Sequence, residues 1–424
     1  MSSTAKPQLA LHGGPRAISQ PLPPMYPGGI QIDSAEEEAV LQVLRSKRLF
    51  RYYGPNPGES QAALLEQRFA EQFGSRYAVA VTSGTASLIC GLIGLGVGPG
   101  DEVIVPAYTW IASASAVLAV GAIPVVAEVD SSLTLNPHDV ERRITPRTKA
   151  MIAVHMRGAP CQMDALMAIG ARHGIRVLED VAQACGASYH GRRLGTIGDA
   201  GAFSFQFNKI ITAGEGGMVL TNDQQIFHRI QMYQDVVGGQ RNQIPADQIL
   251  PGVNYRMTEL QAAVMNAQLG KLETLLARMR ANRQLIEAAI QPTLTRHQIA
   301  LRSCHDPAGD AAIALILIAP RSTKANQLAK ALDAEGADAR VMYSPAEVDY
   351  HVYTHWEPIV HQRAWADQNP WTWHGGPYDY SPAACPQSLA ILERCIHMDI
   401  SPDLSSSQCE EIAEAINKVL SILG

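Results

Sequence analysis

The chain reads as an α/β protein, with a large domain on a mostly parallel sheet followed by a smaller α+β C-terminal domain. Three observations predict this. From Tyr77 onward, short apolar runs alternate with amphipathic stretches of about ten residues, the pattern of βαβ units. Residues 177–221 hold an apolar strand ending in two acids, a second apolar strand, a polar turn carrying one lysine, and a glycine-rich turn into a third strand. A long helical pattern at 257–283, apolar at Leu260, Val264, Leu269, Leu272 and Leu276, then separates this part from a remainder that mixes strand and helix.

Taken in order, residues 1–31 are rich in Pro and Gly and lack periodicity, which predicts an extended arm on the surface or on a partner subunit. Ser34, with Glu37 three residues later, reads as a capping box opening a helix through Val40, Leu41 and Leu44. Residues 48–58 predict a loop with three aromatics and two arginines, and 60–73 a second amphipathic helix closed by Gly74. Strands follow at 77–81, 103–105, 124–129, 150–155 and 177–179, with helices at 85–95, 111–120, 137–143 and 165–173. Such a sheet binds ligands at the carboxyl ends of its strands, so Asp180 and the Ser83-Gly84-Thr85 turn should share one crevice. After Thr221 come a helix at 224–233, a polar loop to Pro251, the long helix, a strand at 312–318, a helix at 324–332, a strand at 340–343 and a final helix at 407–420. The expected division is an arm and first helix at 1–45, a large domain at 46–275 and a small domain at 276–424. Within the last, residues 348–384 hold four of the five tryptophans and read as an irregular lid-like or interface insertion.

Composition narrows the function classes. A net charge of −6 offers no basic face for nucleic acid. No window reaches the roughly 18 apolar residues of a membrane-spanning helix, and the first residues carry no signal-peptide core. Seven scattered cysteines without a CxxC pair fit reduced thiols, hence a cytoplasmic protein.

The chemistry rests on Asp180 and Lys209. A carboxylate at a strand end can keep a pyridine nitrogen protonated, and a nearby lysine can hold an aldehyde covalently, which is what a pyridoxal 5′-phosphate (PLP) enzyme needs. Lys209 sits between an apolar strand and A-G-E-G-G, where small residues let the backbone crowd a ligand; otherwise it is a surface lysine. Asp180 has the alternative of a helix cap or a metal carboxylate, and Glu179 should point to the opposite face. Gln183 suits a hydrogen bond to the cofactor's phenolic oxygen, or is a plain helix-surface residue. Ser83, Gly84 and Thr85 open a helix whose free amides and dipole suit phosphate, though a simple N-cap reads the same way. Ser204 can add a hydroxyl to that phosphate, and Trp110 either stacks on the ring or packs in the core. The run G-L-G-V-G-P-G near residue 97 follows a helix and precedes a strand, the reverse of a dinucleotide turn. His351, His355, His361 and His374 lack a sustained helix to present them, so aromatic-loop packing is preferred and no metal is expected.

Together, S-G-T-A-S from Ser83, P-A-Y-T-W from Pro106, E-D-V-A-Q-A-C-G-A from Glu179, F-S-F-Q-F-N-K-I-I-T-A-G-E-G-G from Phe203 and G-V-N-Y-R-M-T-E-L-Q-A-A from Gly252 resemble the DegT/DnrJ/EryC1/StrS sugar and aminocyclitol aminotransferases, which have PLP fold type I. The resemblance implies Lys209 as the lysine bound to the cofactor and Asp180 as partner of the pyridine nitrogen. It implies Gln183 beside the ring hydroxyl, where many members have histidine, and Gly84, Thr85 and Ser204 at the phosphate. It further implies Trp110 on the ring, Asn254 reaching the phosphate from the other subunit of a homodimer with shared sites, and Arg256 near that interface. The implied reaction moves an amino group from L-glutamate or L-glutamine to a keto-sugar or keto-cyclitol. Gln183 with Gln206 and T-A-G from Thr212 resembles the inosose branch, while H-M-R-G-A-P-C-Q-M-D and the Trp-rich tail resemble the 3-deoxy-octulosonate branch. Arg51, Tyr52 and Tyr53 are candidates for substrate contact, an arginine suiting a carboxylate. The rivals are a PLP-dependent sugar dehydratase, against which Lys209 stands because histidine replaces it in that branch, and a non-catalytic PLP-binding regulator.

Overall fold

The structure is a computed structural model that describes residues 8–25, 30–55, 59–364 and 366–424; Trp365, residues 56–58 of the aromatic loop, parts of the arm and the side chain of His374 lie outside that description. Its helices and strands run α1 (Ser34–Ser46), α2 (Gln61–Phe73), β1 (Tyr77–Val81), α3 (Gly84–Gly94), β2 (Glu102–Pro106), α4 (Ala112–Ala119), β3 (Ile123–Ala127), α5 (Pro137–Arg143) and β4 (Thr148–Val154). Next come α6 (Met163–His173), β5 (Arg176–Asp180), the small hairpin β6 (Ser188–Tyr189) and β7 (Arg192–Arg193), β8 (Ala200–Ser204), β9 (Gly217–Thr221), α7 (Gln224–Gln234) and α8 (Gly238–Arg241). The rest is α9 (Glu259–Leu269), α10 (Leu272–Arg296), β10 (Ala300–Leu301), β11 (Ala314–Ile318), α11 (Ser322–Ala334), β12 (Arg340–Val341), α12 (Glu357–Val360), α13 (Pro370–His374), α14 (Pro386–Leu392), β13 (Cys395–Asp399) and α15 (Ser406–Leu423).

The large sheet has the order β1-β9-β8-β5-β4-β2-β3. From β8 to β3 every pairing is parallel; β9 runs antiparallel to both β8 and β1. The strands other than β9 therefore finish at one edge, which brings the residues following Val81, Pro106, Val154, Asp180 and Ser204 together. Strands β2, β8 and β9 are buried along their whole length, as expected of a sheet covered on both faces. A second, antiparallel sheet, β10-β11-β13-β12, holds the apolar run 311–320 as its centre.

Several expectations shift. The first helix is capped by Asp33, which accepts from the Ala35 amide at 2.9 Å, while Glu36 returns the bond to the Asp33 amide at 2.9 Å. Asp33-Glu36 takes the box from Ser34-Glu37 because Glu36 is also buried against Gln268 and Lys271. The long helix is two helices: the chain pauses at Gly270, whose amide turns back to Ala267, and α10 then runs on to Arg296 because Leu276, Met279, Ile286, Ile290 and Leu294 continue one buried stripe. The arm is anchored in its own chain, since Leu9 and Ile18 are buried and the Ala10 and Ala17 amides both donate to the Glu335 carboxylate at 2.9 Å.

Candidate active site

One cavity of about 390 Å³ lies at the strand-end edge, and Ser83, Gly84, Thr85, Trp110, Asp180, Gln183, Ser204 and Lys209 all line it. Arg157, Arg340, His351 and Asp399 line it as well.

Strand alternation separates the two acids that end β5. Glu179 turns to the back of the sheet, where it is fully buried and accepts the amides of Gly195, Ile197 and Gly198 and the Nε2–H of His155 at 2.9 Å. His155 Nδ1 accepts the Cys161 amide, which places the donated proton on Nε2. Asp180 turns to the cavity. One carboxylate oxygen accepts the Ala182 amide at 3.1 Å and the other the Ser113 hydroxyl at 2.9 Å. Burial pushes the Asp180 carboxyl above its usual range, against the pull of those two donors and of Lys209. A cation brought to this carboxylate would be held strongly.

Lys209 stands on the turn after β8, which is clasped by Phe207 N–H to Gly214 O at 3.0 Å and Ala213 N–H to Phe205 O at 3.0 Å. Among the described residues its Nζ has no hydrogen-bond partner. Burial pushes the amine down, with Asp180 and Glu215 opposing and Arg157 adding to that push, so the neutral nucleophilic form is more accessible than in a free lysine.

The phosphate reading and the N-cap reading of residues 83–85 coexist. The Ser83 hydroxyl caps α3 by accepting the Ala86 amide at 3.1 Å. That leaves the Gly84 and Thr85 amides, at the positive end of the helix, without an acceptor among the described residues. A β-carbon on Gly84 would stand 2.5 Å from Ser204 Cβ and 2.7 Å from its Oγ, so the cup at the end of β8 exists because residue 84 is glycine. A buried carboxylate, an unpaired half-buried amine and an open amide cup around one cavity fit PLP: an acid for the pyridine nitrogen, an amine for the aldehyde and donors for the phosphate.

The remaining expected residues divide. Asn254 is exposed and outside the cavity of its own chain. Arg51 does not reach it either: its guanidinium grips Glu66 through two hydrogen bonds of 2.8 and 2.6 Å, which uses the fork a substrate carboxylate would need. Tyr52 lies under Arg241, at 4.3 Å from ring centroid to guanidinium carbon, Arg256 pairs with Asp235 at 2.7 Å, and Tyr53 is exposed. Sequence reasoning missed Ser113, Arg157, Arg340 and His351. Arg157 had a signal in its neighbourhood, R-G-A-P directly after a strand; its φ of 51° is the left-handed bend that turns the chain into the cavity. His351, read from sequence as loop packing, is brought in by main-chain bonds from the Thr109 amide to His351 O at 2.8 Å and from the Ile111 amide to Tyr350 O at 3.0 Å.

Comparison with known proteins agrees. The model of the DegT/DnrJ/EryC1/StrS aminotransferase family matches residues 30–417. GDP-perosamine synthase of Caulobacter vibrioides is 39% identical over 297 residues, which span 67% of this chain and 76% of that protein. L-glutamine:2-deoxy-scyllo-inosose aminotransferase of Streptomyces lividus is 40% identical over 293 residues, spanning 67% of this chain and 68% of that one. The crystal structure of an aminotransferase from Psychrobacter cryohalolentis, 29% identical, superposes with a TM-score of 0.76 over 92% of this chain and 98% of that one. The chain belongs to the DegT/DnrJ/EryC1/StrS aminotransferase family, PLP-dependent enzymes of fold type I.

Proposed function

We propose that this aminotransferase moves an amino group from L-glutamine or L-glutamate to a cyclic polyhydroxy ketone, a keto-sugar or keto-cyclitol. The observation that carries the reading is the pairing of the Lys209 amine, unpaired and pushed below its usual range by desolvation, with the buried Asp180 carboxylate across one cavity. PLP, when bound, supplies an electron sink for charge developing at the substrate's α-carbon. Asp180 holds the proton on the pyridine nitrogen. Ser83, Gly84, Thr85 and Ser204 hold the phosphate, Trp110 covers a face of the ring, and Gln183 faces its phenolic oxygen without adding charge. Lys209 Nζ would be the acid and base that moves the proton from the donor's α-carbon to the cofactor's aldehyde carbon, and in the reverse sense for the acceptor, work that suits an amine whose basicity burial lowers. Arg157 and Arg340 line the cavity on the side facing the second sheet and suit the donor's carboxylate, with Asp399 beside them limiting the net positive charge. The names of the relatives support both partners: one uses L-glutamine, and their products are an aminated sugar and an aminated cyclitol.

A homodimer with shared sites, built from an arm (1–45), a cofactor unit (46–275) and a C-terminal unit (276–424), belongs to the same reading. Exposed Leu41, Leu44, Leu49 and Tyr53, together with Val236 and Val237, supply apolar surface for a second copy. In that assembly Asn254 serves the neighbouring site, which accounts for its exposure in a single chain.

The test is a set of keto-sugars and inososes incubated with each donor and read by mass spectrometry. The expected product has the carbonyl oxygen replaced by an amino group, only when the donor is present. Consumption of the ketone without a donor would convert the reading to a dehydratase, and PLP binding with no turnover of any ketone would convert it to a regulator.

A further inference from the structure

Residues 350–356 are stitched onto the loop that follows β2. Val352 bridges Tyr108, the Tyr353 amide donates to Ala107 O at 3.1 Å, and the fully buried Trp356 donates its indole N–H to Tyr350 O at 2.8 Å. These bonds leave His351 no choice but to face the cavity, where its ring lies 5.0 Å from that of Trp110.

The proton positions around His351 follow from its partners. Asp349 Oδ1 is 2.7 Å from His351 Nδ1 and also accepts the His351 amide at 2.9 Å. A carboxylate only accepts, so Nδ1 carries the proton and Nε2 presents a lone pair. That lone pair faces Gln183 Nε2 at 3.4 Å. Gln183 is held at its other end, since its Oε1 accepts the Arg157 amide at 3.0 Å. The amide therefore has one orientation: oxygen toward Arg157, one N–H toward His351, and a second N–H left for the cavity. The charged or titratable groups facing His351 are Asp349 on its own segment, Tyr108 from the loop after β2, Arg157 from the loop after β4, Lys209 from the turn after β8 and His397 from β13. Burial, then Arg157 and Lys209, push the imidazole below its usual range against Asp349, which keeps Nε2 unprotonated. Burial raises Asp349, but the hydrogen bonds from the His351 ring and amide, together with the nearby His351 and Arg157 charges, outweigh that and hold it at about 2.

We propose that His351, fixed by Asp349, is a positioning residue that locks the Gln183 amide so that its remaining N–H is donated to the cofactor's phenolic oxygen. A relay Asp349–His351–Gln183 then does what a single charged side chain would otherwise do, while keeping the cavity neutral at that point. The proposal rests on PLP occupying this cavity, which the wild-type protein checks by itself.

The experiment titrates the visible absorption band of bound PLP with pH and measures PLP affinity of the cofactor-free chain by fluorescence. Losing a donated hydrogen bond disfavours the ionised phenolic oxygen, so His351→Ala is expected to move the band's midpoint up by about 0.5–1 pH unit. It should also weaken PLP binding by about threefold to tenfold. His351→Gln, which keeps an acceptor at similar reach, should restore most of the shift, and Asp349→Asn should give a smaller shift of the same sign. In a Gln183→Ala background, His351→Ala should add nothing. The proposal is overturned if the midpoint stays at the wild-type value in His351→Ala, or if the shift persists undiminished without Gln183. Should His351→Ala not fold, Asp349→Asn decides alone: an upward shift supports the relay and an unmoved midpoint overturns it. Absence of any visible band in the wild-type protein would instead sink the cofactor reading.

Discussion

The two walls of the cavity are held by different means. On one side, Asp180 ends a strand paired on both edges, by β4 and by β8, and Ser204 and the Lys209 turn follow the next strand in the sheet. On the other side, His351 rests on a loop joined to the large sheet's connections by a few main-chain bonds, and Arg340 comes from the two-residue edge strand β12. A side chain on an interior strand inherits its position from a ladder that cannot move without breaking the sheet. A side chain on a clipped loop keeps its position only while the loop's own bonds persist, so it can change without disturbing the fold. The rigid wall therefore carries the groups assigned to the pyridine nitrogen, the aldehyde and the phosphate, while the loop-built wall reaches the cofactor only through His351 and Gln183 and otherwise has room to vary with the substrate.

The largest effect that would sharpen this contrast is on Lys209. Lys209→Ala is expected to lower transamination by about 10²–10⁴-fold while PLP still binds in the amide cup, checked by a coupled assay of 2-oxoglutarate formed from L-glutamate and by equilibrium dialysis. Full activity in that variant would refute the role given to the rigid wall. Next come the two acids at the end of β5. Asp180→Asn should reduce kcat by about 10²–10³-fold. Its folded value is raised by burial, so ionisation costs stability once the pH exceeds the ordinary carboxylate range; removing the charge should leave the cofactor-free variant at or above the wild-type unfolding midpoint. Glu179→Gln should do the reverse. Gly195 bonds one carboxylate oxygen and Ile197 and Gly198 the other, so the glutamine sets its N–H against one of these two groups of amides, at a cost of about 1–3 kcal/mol in urea unfolding, with the smaller loss in kcat. Inactivity of Glu179→Gln at unchanged stability would break the division between the two faces. The smallest effect belongs to the loop-built wall. Arg340→Met should raise the donor's KM by roughly tenfold with little change in kcat, as for loss of one hydrogen bond to a charged group. An unchanged KM would move the carboxylate site elsewhere.

How legible each residue was follows from where its partners lie. Asp180 and Lys209 could be read because strand ends and glycine-rich turns are local patterns. The first helix was misframed by one residue because Asp33 and Ser34 both suit a cap; only the buried contacts of Glu36 with Gln268 and Lys271, far along the chain, favour Asp33. The break at Gly270 was hidden because the apolar period continues across it. His351 looked like loop packing because the residue it meets, Gln183, lies 168 positions away.

The sequence by itself determined the alternation of strands and helices, the acid and the lysine at strand ends, and the helix whose amides open on the same edge. Those features depend on periodicity and on spacings of a few residues, which a chain carries wherever it folds. Tertiary structure alone decided which acid faces the cavity with Ser113 as its partner, that Arg51 is consumed by Glu66, and that Arg157, Arg340 and His351 close the opposite wall. These are contacts between distant segments, and the choice among equally suitable side chains is made by packing, burial and hydrogen-bond satisfaction that exist only once the sheets have formed.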